Sequence, residues 1–367
     1  MAKGKKQARQ QTGGQAQGRS LGSILGETGY LWPSIAALVL IAAGVFFWWI
    51  MRSADGNTPV TTDVTAPPEG ASMATTEPPL TPTPRAFAFG RANACQAGPR
   101  FGPQFGFQPG SALIGTSVRG YVGLVLVDPT TGRVEQHDTW DDAGNLGAFV
   151  HDGAGNVYTA PAPFINTTLN PPADQNKIYK VDSDGGVMAE FVDLPPAAPM
   201  TENNPFGVLG LFYDCDTNSL YAGSVAGSTA TEEVGRIFEI DAATGAVVDT
   251  LDNVDAMGVA VFNMPDGGKR LYFGSGRDTG IRSIALDEHG DFVGEPREEF
   301  FLAQFEGSAN DKGQRITFTN ENQMVIKGID FNFTLRAASE PRRNLYTFAL
   351  NPESQTWELQ SIEADPV

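Results

Sequence analysis

A strand–turn–strand unit that occurs five times constrains the fold of this 367-residue chain more than any other feature. In each copy an apolar strand ends at Asp or Asn, a tight turn follows, and a second strand runs back. The turns open at Asp128, Asp182, Asp241, Asp287 and Asn351. Asp and Asn favour such turns because their side chains accept hydrogen bonds from backbone N–H groups two residues on. The spacing of 54, 59, 46 and 64 residues indicates a repeat whose loops vary in length.

A second hairpin completes the unit. It consists of an apolar strand, a turn of Asp, Asn and Gly, and a strand with Tyr and small residues, in segments 147–161, 210–224 and 258–275. Two hairpins per unit predict four strands, and four-stranded units of this length are typical of β-propeller blades. The glycines predicted to supply a left-handed φ in the Asp turns are Gly132, Gly185, Gly245 and Gly290.

Residues 86–367 are long enough for five or six blades of roughly 47 to 57 residues each. The 42 glycines and 25 prolines of the chain agree with an architecture that has many turns. We therefore predict an all-β fold, a β-propeller of five or six four-stranded blades. Segment 86–117 is expected to supply the inner strands of the first blade.

Two stretches resemble known propeller repeats. The segment IFEIDAATGAVVDTL (237–251) resembles a YVTN- or PQQ-type repeat, and 257–300 resembles one blade of the senescence-marker/gluconolactonase family. The second resemblance implies a six-bladed propeller with lactonase or esterase activity and a divalent metal on its axis. In that family Asn and Asp ligands stand at positions that are Met257 and Ser275 here, and neither side chain is of that ligand type.

Residues 31–51 contain no charged residue. About 20 apolar residues in a helix cross a bilayer core, so this segment predicts one transmembrane helix. Trp32 lies near one end, and Trp48 and Trp49 lie near the other, where indole rings favour the membrane interface. A cleaved signal peptide is the alternative, although no A-x-A-like site follows Met51. We favour the uncleaved anchor.

The segments that flank the span predict its orientation. Residues 1–30 carry most of the basic charge near the span and read as a disordered cytoplasmic tail, following the positive-inside rule. Residues 52–85 are rich in Pro and Thr and read as an extended linker. The propeller of residues 86–367 would then lie outside the cytoplasm, periplasmic or extracellular, on a single-pass membrane protein.

The charge distribution limits the partners. The whole chain has a net charge of −18, and residues 53–367, with 19 basic and 42 acidic residues, carry −23. Nucleic acid is excluded as a general partner because affinity for its phosphates comes from Lys and Arg. The acidic surface favours solubility, and selectivity for cationic partners is a weaker alternative.

Cys95 and Cys215 are the two cysteines, and both fall on the predicted non-cytoplasmic side. A disulfide between them is possible in an oxidising compartment, and two separate thiols are the alternative. Neighbouring Asp214, Asp216 and Asn218 have the spacing that opens a calcium loop. The sequence lacks the Gly and Glu that such a loop needs further on, so we interpret the segment as a turn. The same interpretation applies to Asp182-Ser-Asp184-Gly185.

No catalytic, cofactor-binding or metal-binding residue is assigned from the sequence. The leading hypothesis is a membrane-anchored binding or scaffolding module with a protein partner on a propeller face, or an accessory subunit of a membrane or envelope complex. The alternative is a metal-dependent hydrolase of the lactonase type. The lining of the central channel separates them: converging acidic and amide side chains favour the enzyme, and an apolar or mixed lining favours the binding module.

Overall fold

The computed structural model describes residues 87–163, 166–201, 203–307, 309–335 and 343–365. The predicted tail (1–30), membrane span (31–51) and linker (52–85) lie outside these residues. Within the described part, no helix combines the length and apolar character that a membrane crossing requires. Its helices are three short 3-10 turns: Gly102–Phe105, Pro172–Asp174 and Leu302–Gln304.

The described residues form a five-bladed β-propeller, in which each blade is an antiparallel sheet. The first blade contains β2 (Leu113–Gly115), β3 (Val125–Val127) and β4 (Val134–Glu135). The second contains β5 (Leu146–His151), β6 (Val157–Pro161), β7 (Lys177–Val181) and β8 (Met188–Asp193). The third contains β9 (Val208–Asp214), β10 (Ser219–Ser224), β11 (Arg236–Asp241) and β12 (Val247–Asp252).

The fourth blade contains β13 (Ala256–Asn263), β14 (Lys269–Ser275), β15 (Gly280–Leu286) and β16 (Phe292–Phe301). The fifth contains β17 (Asp311–Phe318), β18 (Gln323–Asp330), β19 (Asn344–Asn351) and β20 (Thr356–Ala364). The predicted all-β propeller is confirmed with five blades, and a sixth blade is not formed by the described residues.

The prediction for segment 86–117 is partly wrong. Leu113–Gly115 does belong to the first blade, but β1 (Gly90–Arg91) pairs with Phe262 and Asn263 at the end of β13 in the fourth blade. The first blade therefore has three strands among the described residues. A two-residue strand has too little pattern to reveal its partner, because register is specified by a longer buried face.

Burial decreases from the inner to the outer strands of a blade. All eight residues of β13 are buried, whereas most of β16 is exposed or half-buried. Between the fourth and fifth blades an aromatic cluster fills the core, with ring centres of Phe262 and Phe318 4.5 Å apart and those of Tyr272 and Trp357 5.9 Å apart. Burying a large apolar side chain contributes about 1.5–3 kcal/mol, so packing between blades stabilises the ring.

The Asp and Asn turns have the predicted chemistry. Asp241 accepts hydrogen bonds from the backbone N–H of Ala243 at 2.8 Å and of Thr244 at 2.9 Å. Equivalent bonds are accepted by Asp128, Asp182, Asp287 and Asn351. The predicted positive φ occurs at Gly132, Gly245 and Gly290. In the second blade it falls on Gly186 rather than Gly185, because there, as in the first and third blades, the left-handed residue lies four positions after the Asp.

Glycines allow the inner strands of neighbouring blades to approach closely. A Cβ atom at Gly210 of β9 would lie 2.2 Å from the carbonyl oxygen of Met257 on β13. A Cβ atom at Gly258 would lie 2.9 Å from the backbone of Gln314 and Arg315 on β17. Neither position leaves room for a larger residue, so the sequence fixes how tightly the ring packs around its axis.

Residues 87–101, which we call the N-terminal strap, cross the first-hairpin turns of three blades on one face of the ring. Their backbone contacts are Phe87 N with Gly267 O, Ala92 O with Cys215 N, and Ala97 N with Asp152 O, at 2.8–3.2 Å. Cys95 and Cys215 form a disulfide with their Cα atoms 5.8 Å apart, which ties the strap to the third blade.

Candidate functional site: the central cavity

The first strands of the blades surround a cavity of about 570 Å³ on the propeller axis. Its wall includes residues of β5, β9, β13 and β17, together with Thr116 and Ser117 next to β2. Cavities of about 300–1,000 Å³ are typical of small-ligand sites. Every blade thus contributes to one concave site.

The two ends of the cavity differ in chemistry. At the strap end lie Asn93, Gln96 and His151, next to the first-hairpin turns. At the opposite end lie Phe206, which precedes β9, and Phe331, which follows β18, with their ring centres 5.3 Å apart. The cavity therefore runs from a polar end under the strap to an aromatic end at the other face.

Basic side chains give the cavity a positive charge. Arg315, Lys327 and Arg343 line it, and no Asp or Glu is among the described residues of its wall. Lys327 forms an ion pair with Asp365. In contrast, no carboxylate of the described residues pairs with Arg315. The positive cavity lies within a domain whose net charge is strongly negative.

Arg315 lies midway along β17, and its guanidinium carbon is 5.7 Å from the ring centre of Phe149, which lies midway along β5 in the second blade. The side chain is accessible to solvent inside the cavity. Surrounding protein atoms nevertheless remove part of its hydration and lower the pKa of Arg315 from its ordinary value. Arginine stays protonated at neutral pH under such a shift, so a positive charge is held near mid-depth.

Three polar atoms at the strap end have no hydrogen-bond partner among the described residues: Asn93 Oδ1, Gln96 Nε2 and His151 Nε2. Burial lowers the pKa of His151, partly opposed by nearby Asp152, so the imidazole is neutral near pH 7. An unsatisfied buried polar group costs about 1–3 kcal/mol. These atoms are consequently able to gain free energy from hydrogen bonds to a bound molecule.

The cavity does not fit the divalent metal that the lactonase resemblance implies, because sites for hard cations are built around carboxylates and the described lining residues offer none. Met257 contributes to the cavity wall at one of the expected ligand positions. Ser275, at the other, lies outside the lining, and its Oγ accepts hydrogen bonds from the backbone of Arg277 and Asp278.

Away from the axis, Glu239, Asp249 and Asp291 bring carboxylate oxygens within 4.8 Å of one another where the third and fourth blades meet. Glu239 accepts a hydrogen bond from Ser219 at 2.7 Å, and Asp249 accepts one from the backbone of Phe292 at 2.8 Å. Burial raises the pKa of Glu239 to about 7. The group is therefore built into the packing between two blades.

Of the residues singled out from the sequence, Met257 lines this cavity, whereas the acidic turn residues lie outside it. Asp214 lies at the end of β9 and Asp216 in the turn that follows, and both bind Lys269. Asp182 accepts backbone hydrogen bonds within its own turn. Sequence reasoning missed Arg315, His151 and the strap residues. The available signal was weak: Arg315 is one of two basic residues in an alternating strand, a pattern that exposed strands share.

No protein-family model and no curated protein matches this sequence. Among solved structures, the chain is similar to a luciferin-regenerating enzyme, with 12% identity over 76% of this chain and 78% of that chain, at a TM-score of 0.44. It is similar to a gluconolactonase from Xanthomonas campestris, with 17% identity, 56% and 62% coverage and a TM-score of 0.36. It is also similar to a quinohemoprotein alcohol dehydrogenase from Pseudomonas putida, with 14% identity over 70% of this chain and 52% of that chain, at a TM-score of 0.40.

The last two structures belong to the two kinds of propeller that the sequence resembles. At these identities and TM-scores the likeness assigns no substrate or reaction to this chain. The blades and the cavity of the chain itself define it as a five-bladed propeller with one mixed apolar and basic site on its axis.

Proposed function

We propose that this chain is a membrane-anchored, extracytoplasmic β-propeller that acts as a binding module, with its central cavity as the ligand site. The lining of the cavity is the observation that carries this proposal. Apolar and aromatic side chains supply contact area, and basic and uncharged polar groups supply orientation. Binding sites commonly combine an apolar wall with a few convergent polar groups.

A metal-dependent hydrolase receives less support. That reaction needs a cation to polarise the substrate and activate water, and the described residues of the cavity wall offer no carboxylate to hold one. Among the described lining residues, no serine or cysteine is hydrogen-bonded to a histidine base, which is the pairing that would define a nucleophile. A mixed lining is instead what the binding hypothesis predicts.

The location is proposed from the sequence. Residues 31–51 would anchor the chain with residues 1–30 in the cytoplasm, and residues 52–85 would hold the propeller away from the bilayer. Protease added to intact cells should then cut within 52–85 and release the propeller, leaving the tail protected. A mature chain that starts between residues 52 and 60 would replace the anchor with a signal peptide.

The binding function can be tested by filling the cavity. Ser117 lines the cavity, so Ser117→Trp would place an indole in it, whereas Val248→Trp adds the same group on an exposed outer strand. The full chain is purified from gently solubilised membranes and examined by native mass spectrometry. We expect a bound compound or partner on the wild type and on Val248→Trp, and its loss from Ser117→Trp. Recovery of all three without any bound species would contradict the proposal.

A further inference from the structure

We propose that the ligand of the central cavity is a carboxylic acid with an apolar body, and that Arg315 binds its carboxylate. This inference rests on the proposed binding function and adds the chemical class of the ligand. The acid group would enter the cavity to mid-depth, and the apolar body would extend toward the aromatic end formed by Phe206 and Phe331.

The charge of the ligand follows from the pairing of the basic groups. The ammonium of Lys327 is already neutralised by Asp365. The guanidinium of Arg315 contacts the face of Phe149 and has no carboxylate partner among the described residues. Removing part of its hydration without supplying a counter-charge is unfavourable, so an anionic ligand gains free energy by replacing the lost water. Arg343 also lines the cavity but is an exposed residue that follows the fifth blade's β18, so Arg315 is the guanidinium at mid-depth where a negative charge would replace lost hydration.

The geometry of the head group follows from the type of cation. Arginine presents N–H donors in a planar fork that matches the two oxygens of a carboxylate. The guanidinium carbon lies over the Phe149 ring, 5.7 Å from its centre, and no carboxylate of the described residues pairs with it. Gln96 Nε2 and His151 Nε2, which have no partner among the described residues, are further polar groups on the strap side. These groups favour an oxygen-rich anion over an uncharged apolar molecule.

The apolar body follows from the rest of the wall. Phe206, Ile329, Phe331 and Leu335 line the end opposite the strap. Burying apolar surface is favourable, so a body of one ring or a short alkyl chain would add to the affinity of the head-group bond. A volume of about 570 Å³ accommodates a ligand of this size.

The test uses the full chain in detergent, with hydrocinnamate as the probe acid and hydrocinnamamide as its uncharged match. Isothermal titration should detect hydrocinnamate and not the amide. Arg315→Met should weaken hydrocinnamate binding by about tenfold or more, because a charge-assisted bidentate bond is lost. Arg119→Met is the matched control, since Arg119 is exposed and lies outside the cavity, and its affinity should equal that of the wild type.

Two further arms distinguish sources of the acid. The peptide Ala-Ala-Phe and its C-terminal amide show whether the carboxylate comes from a peptide end: tighter binding of the free peptide than of hydrocinnamate indicates a peptide C-terminus, and weaker binding indicates a free acid. Phenylethyl phosphate tests whether the site prefers a phosphate to a carboxylate. Binding of this phosphate about tenfold tighter than hydrocinnamate would overturn the carboxylate class.

Other outcomes also overturn the inference. Equal binding of acid and amide, or equal loss of affinity in Arg315→Met and Arg119→Met, would remove Arg315 as the anchor. Should Arg315→Met fail to fold, two other measurements decide whether Arg315 is the anchor: the affinity of Arg315→Lys for hydrocinnamate, and the comparison of acid and amide binding to the wild type. If no probe binds while Ser117→Trp still displaces a co-purified species, the carboxylate class is wrong and the binding function stands. If no probe binds and Ser117→Trp also displaces nothing, both the carboxylate class and the proposed binding function are wrong.

Discussion

The Nζ atom of Lys269 lies 2.5 Å from Oδ2 of Asp214, and neither side chain is exposed to solvent. The same ammonium lies 2.9 Å from Asp216 and 4.0 Å from the ring centre of Phe87 in the strap. Lys269 of the fourth blade therefore binds two carboxylates of the third blade. Inward-facing Lys269 is fully compensated, whereas Arg315 in the cavity is not, and this contrast separates a structural charge from one available for binding.

Lys269→Met should lower the free energy of unfolding by about 3–5 kcal/mol, because it leaves the buried carboxylate of Asp214 without its counter-charge. Burial already raises the pKa of Asp214, against the opposing effect of Lys269. Lys177→Met is the control: Lys177 pairs with Asp174 and Glu190, whose side chains are partly exposed, and its loss should cost at most about 1 kcal/mol. Denaturant unfolding of both variants measures the difference, and equal losses would show that the buried pair adds nothing.

Gly258→Ala tests the close packing of the inner strands. Its methyl group would lie 2.9 Å from the backbone of Gln314 and Arg315, and a backbone cannot turn away as a side chain can. We expect a destabilisation of about 1–3 kcal/mol, typical of overpacking. Gly98→Ala is the matched control, because nothing lies within 4 Å of its Cβ position. A melting temperature unchanged in both variants would contradict the tight ring.

The parts of the fold that depend on local chemistry were predictable from the sequence. Asp241 bonds to backbone N–H groups two and three residues on, so its turn is specified within a few residues of the chain. Five such turns were enough to predict the propeller. The choice between Gly185 and Gly186 failed because adjacent glycines carry equal signals for a left-handed φ.

The central cavity was not predictable in the same way. Strand alternation has a period of two and marks which side chains share a face, but channel-facing and solvent-facing polar residues look alike. The sequence around Arg315 is that of an exposed strand, and only the closed ring of blades places this side chain in the cavity. Asn93 and Gln96 reach the cavity because the strap crosses three blades, a long-range contact that no local pattern encodes.

Glu239→Gln should change the dependence of stability on pH. Burial raises the pKa of Glu239 from an ordinary 4.5 to about 7. The native state therefore keeps a proton that the unfolded chain loses, so its stabilising contribution is complete below about pH 4.5 and is lost as pH rises to about 7. Glutamine cannot ionise and retains an oxygen that accepts from Ser219. We expect the variant to be more stable than wild type at about pH 8. Its stability should also decline less than that of the wild type between about pH 5 and about pH 8.

Glu321→Gln is the control for that experiment, since Glu321 lies exposed in the turn between β18 and its neighbour β17. Its melting temperature should follow wild type at every pH. A Glu239→Gln variant that parallels wild type across the range would show that Glu239 is ionised in the native state. Thermal unfolding across a pH series provides both measurements.

Cys95→Ser should destabilise the propeller by releasing the N-terminal strap. The bond between Cys95 and Cys215 joins residues 120 positions apart, and loss of a cross-link over a loop of that length costs up to about 4–5 kcal/mol in chain entropy. Because Asn93 and Gln96 belong to the strap, their side chains should no longer be held in place at the polar end of the cavity in this variant. Cys215→Ser and the double variant should unfold at the same temperature as Cys95→Ser, several degrees below wild type, because all three lack one and the same bond. Thiol titration of unreduced, denatured wild type should find no free thiol, and two titratable thiols would refute the bond.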